Sequence, residues 1–327
     1  VASLGDGDLE IITALGFLHF DCRRVDIAVL EVGLGGKFDS TNVCEPLLCL
    51  LTNISYDHMA ILGNTLAEIA EQKAGIIKRG VPVVSAADDP AAVAVIAETA
   101  KANDAPLSQF ERDFRCVYAV EAPFTLPRVR VATTKRDWGW LSLGLFGEHQ
   151  ARNAAGVVAT IERLRELGLA LPDRAVRQGL QQTSWPARLE LMKRDPVVIL
   201  DCAHNVASAL ALVKTLTTSF PIEGSRELIF AASNDKQISE MLGILAPHFD
   251  RFHLTRYVSN PRSADPLKMA EYLRELGQTQ IEIHPTPEAA WHTAFARSQP
   301  NAGIVIAGSV FLAGELRGLI QETLAQR

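Results

Sequence analysis

Four short stretches carry residues whose types and spacing could do chemistry. The first is Glu31 to Asn42, EVGLGGKFDSTN, an acid followed by three glycines in four positions. An acid at the carboxyl end of an apolar run, ahead of glycines that let a backbone approach a ligand closely, is where a phosphate-bound cation would sit. A tight turn with a solvated glutamate explains the same residues equally well. The second stretch pairs Asp57-His58 with Glu71-Gln72-Lys73-Ala74-Gly75. His58 could share the Glu31 crevice as a neutral imidazole ligand to a divalent ion. Taken alone, it reads as a hydrogen-bonded loop residue, and Lys73 reads as a cation complementing the end of its helix.

The third stretch, His149-Gln150-Ala151-Arg152-Asn153, opens a long helical pattern. A first helical turn presents unpaired N–H donors to a base or a phosphate, although plain capping accounts for the same polar residues. The fourth, Asp201-Cys202-Ala203-His204-Asn205, follows an apolar run. Asp201 there could accept from ribose hydroxyls or cap the next helix.

These residues need elements to position them. Apolar residues between Asp8 and Phe20 recur at helical spacing, and Val25 to Val32 reads as a buried strand. Leu47 to Ile54 predicts a second strand, Thr65 to Gln72 a helix, and Gly80 to Val84 the opening of a short strand. Between Cys116 and Phe146 the pattern alternates, as in a small antiparallel insertion or sheet edge. Helices follow over His149 to Leu167 and Asp173 to Gln182, and Ser184-Trp185-Pro186 breaks the series, so the domain boundary falls between 185 and 186. Beyond it, strands are expected at 197–200, 228–231, 251–254, 281–283 and 304–307, with a last helix from Phe311. This alternation predicts a mostly parallel α/β sheet covered on both faces.

Composition narrows the classes. At about 150 residues per domain, 327 residues predict roughly two domains. With 32 basic and 38 acidic residues the net charge is −6, a balance that disfavours a nucleic-acid binder, so local groups must hold any anionic ligand. Five scattered cysteines without CxxC spacing favour a reducing, cytosolic setting. No apolar run reaches the roughly 18 residues of a membrane span, and residues 1–8 lack the segments of a secretory signal. The chain begins with Val1, which reads as a fragment or a processed start.

In order along the chain, EVGLGGKFDSTN, NISYDH, AEQKAGI, GEHQARNAA, WPARLEL and ILDCAHN, with DKQ at 235–237 and AGSVFLAGE at 307–315, resemble the folylpolyglutamate synthase and dihydrofolate synthase family of the Mur ligase superfamily. The resemblance spans nearly the whole chain. It implies an incomplete Mur-ligase-type central ATPase domain over 1–185 and a Rossmann-like, doubly wound α/β domain over 186–327. The implied activity is ATP-driven ligation of L-glutamate to dihydropteroate or folates through an acyl phosphate. Matched position by position, Glu31 and His58 correspond to the magnesium ligands, and Lys73 to a carbamylated lysine. Asn153 corresponds to the adenine contact, Arg188 to the residue facing the transferred phosphate, and Asp201, with His204 beside it, to the ribose side. Glu10, Phe38, Asp39 and Ser40 correspond to the pterin pocket. The implied cofactors are ATP and Mg2+, with room for a monovalent cation, and the implied partners are small molecules only, on a monomeric, cytoplasmic protein.

The chain departs from the family pattern in one respect. No glycine-rich run ending in Gly-Lys-Ser or Gly-Lys-Thr occurs in it. Such a loop cradles nucleotide phosphates, so this polypeptide alone is expected not to turn over ATP, and an incomplete sheet is expected to expose an edge. Two alternatives stand beside the folate ligase: a non-catalytic remnant that binds a nucleotide or a partner, and a UDP-muramyl peptide ligase of the same superfamily.

Overall fold

The computed structural model describes residues 8–326, so the opening residues read above for a signal segment lie, apart from the eighth, outside the described residues. The chain divides into two compact units: Val1–Cys116 with Arg130–Gly139 and Arg152–Val176, and Val117–Val129 with Trp140–Ala151 and Arg177–Arg327. Among the described residues no helix is long and apolar enough to cross a membrane.

The first unit starts with helix α1 (Asp8–Arg23), then β1 (Cys49–Leu51), the single turn α2 (Met59–Leu62), α3 (Leu66–Ala74), β2 (Val83–Ser85), α4 (Pro90–Ala102) and β3 (Leu107–Gln109). The three strands form a parallel sheet in the order β1-β2-β3. Its core joins Leu51 and Val83 to Ile69 and Ala70 of α3 and to Ala92 and Ile96 of α4. Local chemistry starts the helices: Thr65 and Glu68 form a reciprocal capping box on α3, while Asp89 and a first-turn proline start α4.

The expected strand Val25 to Val32 does not form. The segment joins no sheet, and Val25, Ile27 and Val29 face solvent, with Val29 91% exposed. An apolar run becomes a strand only when a neighbour accepts its backbone hydrogen bonds, and among the described residues none does. β1 consequently forms one edge of its sheet. Helix α1 forms as expected, yet Ile11, Ile12, Leu15 and Leu18 along it are exposed.

Strands β4 (Phe114–Ala119), β5 (Arg128–Thr133) and β6 (Asp137–Ser142) make a separate three-stranded sheet, where the alternating pattern had placed an insertion. Helices α5 (Glu148–Glu166) and α6 (Asp173–Gln182) follow at the expected positions.

The remaining elements are β7 (Glu190–Arg194), β8 (Val197–Leu200), α7 (Val206–Ser219), β9 (Arg226–Phe230), α8 (Ile238–Leu245), β10 (Arg251–Leu254), α9 (Pro266–Glu275), β11 (Ile281–Ile283), α10 (Pro287–Arg297), β12 (Gly303–Ala307) and α11 (Val310–Ala325). They build one six-stranded sheet in the order β11-β10-β9-β12-β8-β7. Five strands are parallel, and only the edge strand β7 runs antiparallel, against β8. Alternate residues of each strand enter opposite layers. Val197, Ile199, Leu228, Phe230, Phe252 and Leu254 pack with α7, α8 and α9, whereas Val198, Leu200, Ile229, Ile304 and Ile306 pack with α10 and α11. Burial on both faces explains why β8 and β12 read as continuous apolar runs. β12 returns between β8 and β9, so the chain reverses direction across the sheet there. In open α/β sheets such a reversal is where ligands bind, beyond the carboxyl ends of the strands.

Candidate functional site

In the first unit, the glycine run after Glu31 folds onto the end of α3. The Lys37 N–H donates to the Gln72 carbonyl at 2.8 Å. A Cβ on Gly36 (φ 156°) would lie 2.9 Å from both the Lys73 carbonyl oxygen and Ile76 Cγ2. From the other side, a Cβ on Gly75 would lie 2.5 Å from Lys37 Cα. Two backbones meet at van der Waals distance with no side chain between them, which is what glycines on both partners permit. Asn42 Nδ2 fastens the contact by donating to the Lys37 and Gly75 carbonyls, both at 3.1 Å.

Asp39 sits under this loop. Its Oδ2 accepts from the Gly33 and Leu34 N–H groups at 3.0 and 3.1 Å, and its Oδ1 from Thr41 N at 3.0 Å. Burial alone would raise the pKa of this carboxyl, but the donors from Thr41, Leu34 and Gly33 together hold it below the usual carboxylate range. Asp39 thus shapes the loop from beneath. Ser40 Oγ shares a hydrogen bond with Thr13 of α1 at 2.8 Å, while Phe38 is 84% exposed and Glu10 is exposed on α1.

His58 occupies a left-handed conformation (φ 50°, ψ 37°) at the start of α2, and its N–H donates to Asp57 Oδ1 at 2.9 Å. The Asp57 carboxylate also acts on Lys73, in the last turn of α3. Burial pushes the Lys73 ammonium below its ordinary pKa, and the Asp57 charge partly opposes that shift. The structure therefore brings Asp57, His58 and Lys73 together beneath the loop that starts at Glu31. Glu31 itself lies exposed at the end of the unpaired segment. Asp57 was named in the sequence beside His58 but given no role. Its signal was its place beside His58, after the apolar run that forms β1.

Asn153 lies on α5, half-buried, as the expected helix requires. Its neighbour Arg152 pairs with Asp88 at 2.6 Å.

In the second unit, Asp201 follows β8 and is buried. Its Oδ2 accepts from Leu189 N at 2.8 Å and its Oδ1 from Ala203 N at 2.7 Å. Burial nevertheless raises its pKa. The cap of α7 is not Asp201 but Asn205, which exchanges hydrogen bonds with Ser208. Asp201 instead pins the loop that carries Arg188. The residues flanking Arg188, Ala187 and Leu189, both have positive φ, and the Arg188 side chain is exposed. Its charge reaches Asp201 and also His149, whose imidazole is held below its usual pKa first by loss of solvent and then by this guanidinium. His204 Nδ1 lies 2.9 Å from the Cys202 carbonyl.

With this geometry in place, comparison with known proteins is direct. Residues 10–161 match the Mur ligase middle domain, and residues 187–310 match the Mur ligase, glutamate ligase domain. The dihydrofolate synthase/folylpolyglutamate synthase of Bacillus subtilis is 40% identical over 257 residues, covering 76% of this chain and 59% of that protein. The folylpolyglutamate synthase of Lacticaseibacillus casei is 33% identical across 95% of this chain and 70% of its own length. The Mycobacterium tuberculosis folylpolyglutamate synthase complexed with ADP superposes with a TM-score of 0.86 at 31% identity, over 96% of this chain and 72% of that one. This chain thus spans somewhat under two thirds of the Bacillus relative. The agreement of both domains, in order and at these identities, makes the chain a member of the folylpolyglutamate synthase/dihydrofolate synthase family, built on the Mur ligase middle and C-terminal domains.

Proposed function

We propose that this protein joins L-glutamate to dihydropteroate, to a reduced folate, or to both, using ATP. The observation that carries the reading is Lys73: a half-buried amine with a lowered pKa, next to the Asp57-His58 turn and under the Glu31 loop. A neutral amine is what carbon dioxide needs to form a carbamate, and that modification would place a negative charge beside a metal.

The donors suit magnesium, because an exposed carboxylate and an imidazole leave positions for water and phosphate oxygens, as that ion requires. Glu31 and His58 would hold it, and it would offset charge on the nucleotide phosphates. Arg188, with its planar fork, clamps the transferred phosphate. Asn153 contacts the adenine, and Asp201 and His204 serve the ribose side. Both Asp201 oxygens already accept backbone N–H groups, yet each keeps a lone pair for a hydroxyl. Glu10, Phe38 and Ser40 line the pterin side, over a loop that Asp39 holds in shape.

The chemistry balances in two steps. A carboxylate oxygen of the pterin-linked substrate attacks the terminal phosphorus and ADP leaves. The glutamate amine then attacks the acyl carbon, phosphate leaves, and the amine gives up its proton. Positioning and charge neutralisation supply the catalysis. We place the protein in the cytoplasm as a monomer, with all five cysteines free thiols, and put the domain boundary between residues 185 and 186.

The test is incorporation of labelled glutamate by the protein as the cell makes it, offered dihydropteroate and tetrahydrofolate separately. One ADP should form per glutamate added. The 327-residue chain, which lacks a Gly-Lys-Ser loop, should bind nucleotide without turnover. ADP formation that depends on a UDP-muramyl substrate, with none on either pterin, overturns the reading.

A further inference from the structure

The inner side of the C-terminal sheet carries four ionisable groups where its strands otherwise present valine and isoleucine. Glu227 of β9, His253 of β10, Glu282 of β11 and His284 just beyond it are neighbours by register: His253 pairs with Glu282, and on its other side with Ile229, two residues from Glu227. All belong to the second unit, and none has a role in the ligase site described above. Glu227 is 4% exposed and His253 is fully buried.

His253 Nε2 lies 2.7 Å from Glu227 Oε2, and His253 Nδ1 lies 3.0 Å from His284 Nε2. One donor atom from each of His253, Glu282 and His284 lies within 4.8 Å of the others. A carboxylate of this sort, on the far nitrogen of a histidine, fixes the tautomer that turns the near nitrogen into a ligand. Two nitrogens bound to zinc at about 2.0–2.1 Å, at a tetrahedral angle, stand roughly 3.4 Å apart, so the two rings need only small movements to admit an ion. His284 also lines a surface cleft with Arg256, Asp265, Pro266 and Leu267, which supplies an entry path.

We propose that His253 Nδ1, His284 Nε2 and the Glu282 carboxylate bind a zinc-class divalent metal, with Glu227 orienting His253 from behind and a water completing the shell. Arg251 and Arg297 both donate to Glu282 Oε1, which directs the other oxygen, Oε2, to the ion. When Nε2 of His284 binds metal, the proton that bridged the rings is carried on its Nδ1.

The experiment is a Co2+ and Zn2+ titration of the whole chain after chelation. The expected result is one cobalt per chain with the visible bands of a nitrogen-ligated tetrahedral site, displaced by zinc and kept in H58A and E31Q. H284Q and E282Q should weaken binding at least about tenfold, and E227Q by about 10- to 100-fold. Binding lost in H58A, or unchanged in H284Q, overturns the proposal. A measurement that needs no variant is anomalous scattering at the zinc edge from crystals of the unaltered chain grown with zinc. A peak between His253 and His284 supports the site, and the absence of one there refutes it.

Discussion

The two units locate a carboxylate in opposite ways. In the first, Glu31 stands exposed at the end of an unpaired segment, and order comes from glycines pressed against the last turn of α3. In the second, Asp201 is buried at the end of a strand enclosed on both faces, and order comes from its own two hydrogen bonds. An exposed acid keeps its charge cheaply but needs a scaffold to locate it. A buried acid locates itself, at a cost in desolvation. The first arrangement leaves an acid open to solvent, and the second fixes a loop.

The largest expected effects lie in the first unit and fall on turnover. E31Q or H58A in the complete enzyme should lower magnesium-dependent turnover by about 100-fold or more while the melting temperature barely moves. Retained turnover in either removes the metal assignment. K73A should be equally impaired and partly rescued by small carboxylic acids that stand in for the carbamate. No rescue at any concentration would make Lys73 a structural lysine.

G36A tests the scaffold itself. Its methyl meets the Lys73 carbonyl, so the first unit should lose about 1–3 kcal/mol and turnover should fall with it. In the second unit the order reverses. D201N removes one acceptor from a buried pair of N–H groups and should cost about 1–3 kcal/mol in thermal or denaturant unfolding. An unchanged melting temperature would mean that Leu189 and its loop need no such anchor.

The smallest effect concerns pH, where the units should slope oppositely. Asp173, between Arg136 and Arg165, has its pKa lowered to about 2 from 3.8. Its native pKa lies below the unfolded one, so its contribution is complete above about pH 4 and disappears as pH falls through 2. Because the pair is substantially exposed, D173N should cost only about 0.2–1 kcal/mol at neutral pH and less in acid. Asp201 has a raised native pKa, so its ionisation takes stability away as pH rises above 4. Unfolding of D173N and D201N followed from pH 2 to 7 distinguishes the two slopes.

How much of this the sequence makes legible follows the same division. β8 falls on the residues expected because burial on both faces leaves an unbroken apolar run. Val25 to Val32 has the same look and fails, because apolarity records what a segment could bury and not whether a strand lies beside it. β7, with the half-polar ELMKR, escaped notice for the converse reason: an antiparallel edge needs only one buried face. At the sites, residue types were readable and their partners were not. Nothing in EVGLGGK announces that Gly36 faces the carbonyls of α3. Nothing in LDCAHN shows that Asp201 reaches back twelve residues to Leu189, while Asn205 does the capping.

That single reach of Asp201 has a mechanical meaning. One carboxylate ties a strand tip to the loop bearing Arg188, so any group that competes for its oxygens must tug the arginine's tether. Under the roles proposed above, contact with the ribose and contact with the phosphate become one event, and damage to the two residues should compound less than additively in a double-mutant cycle.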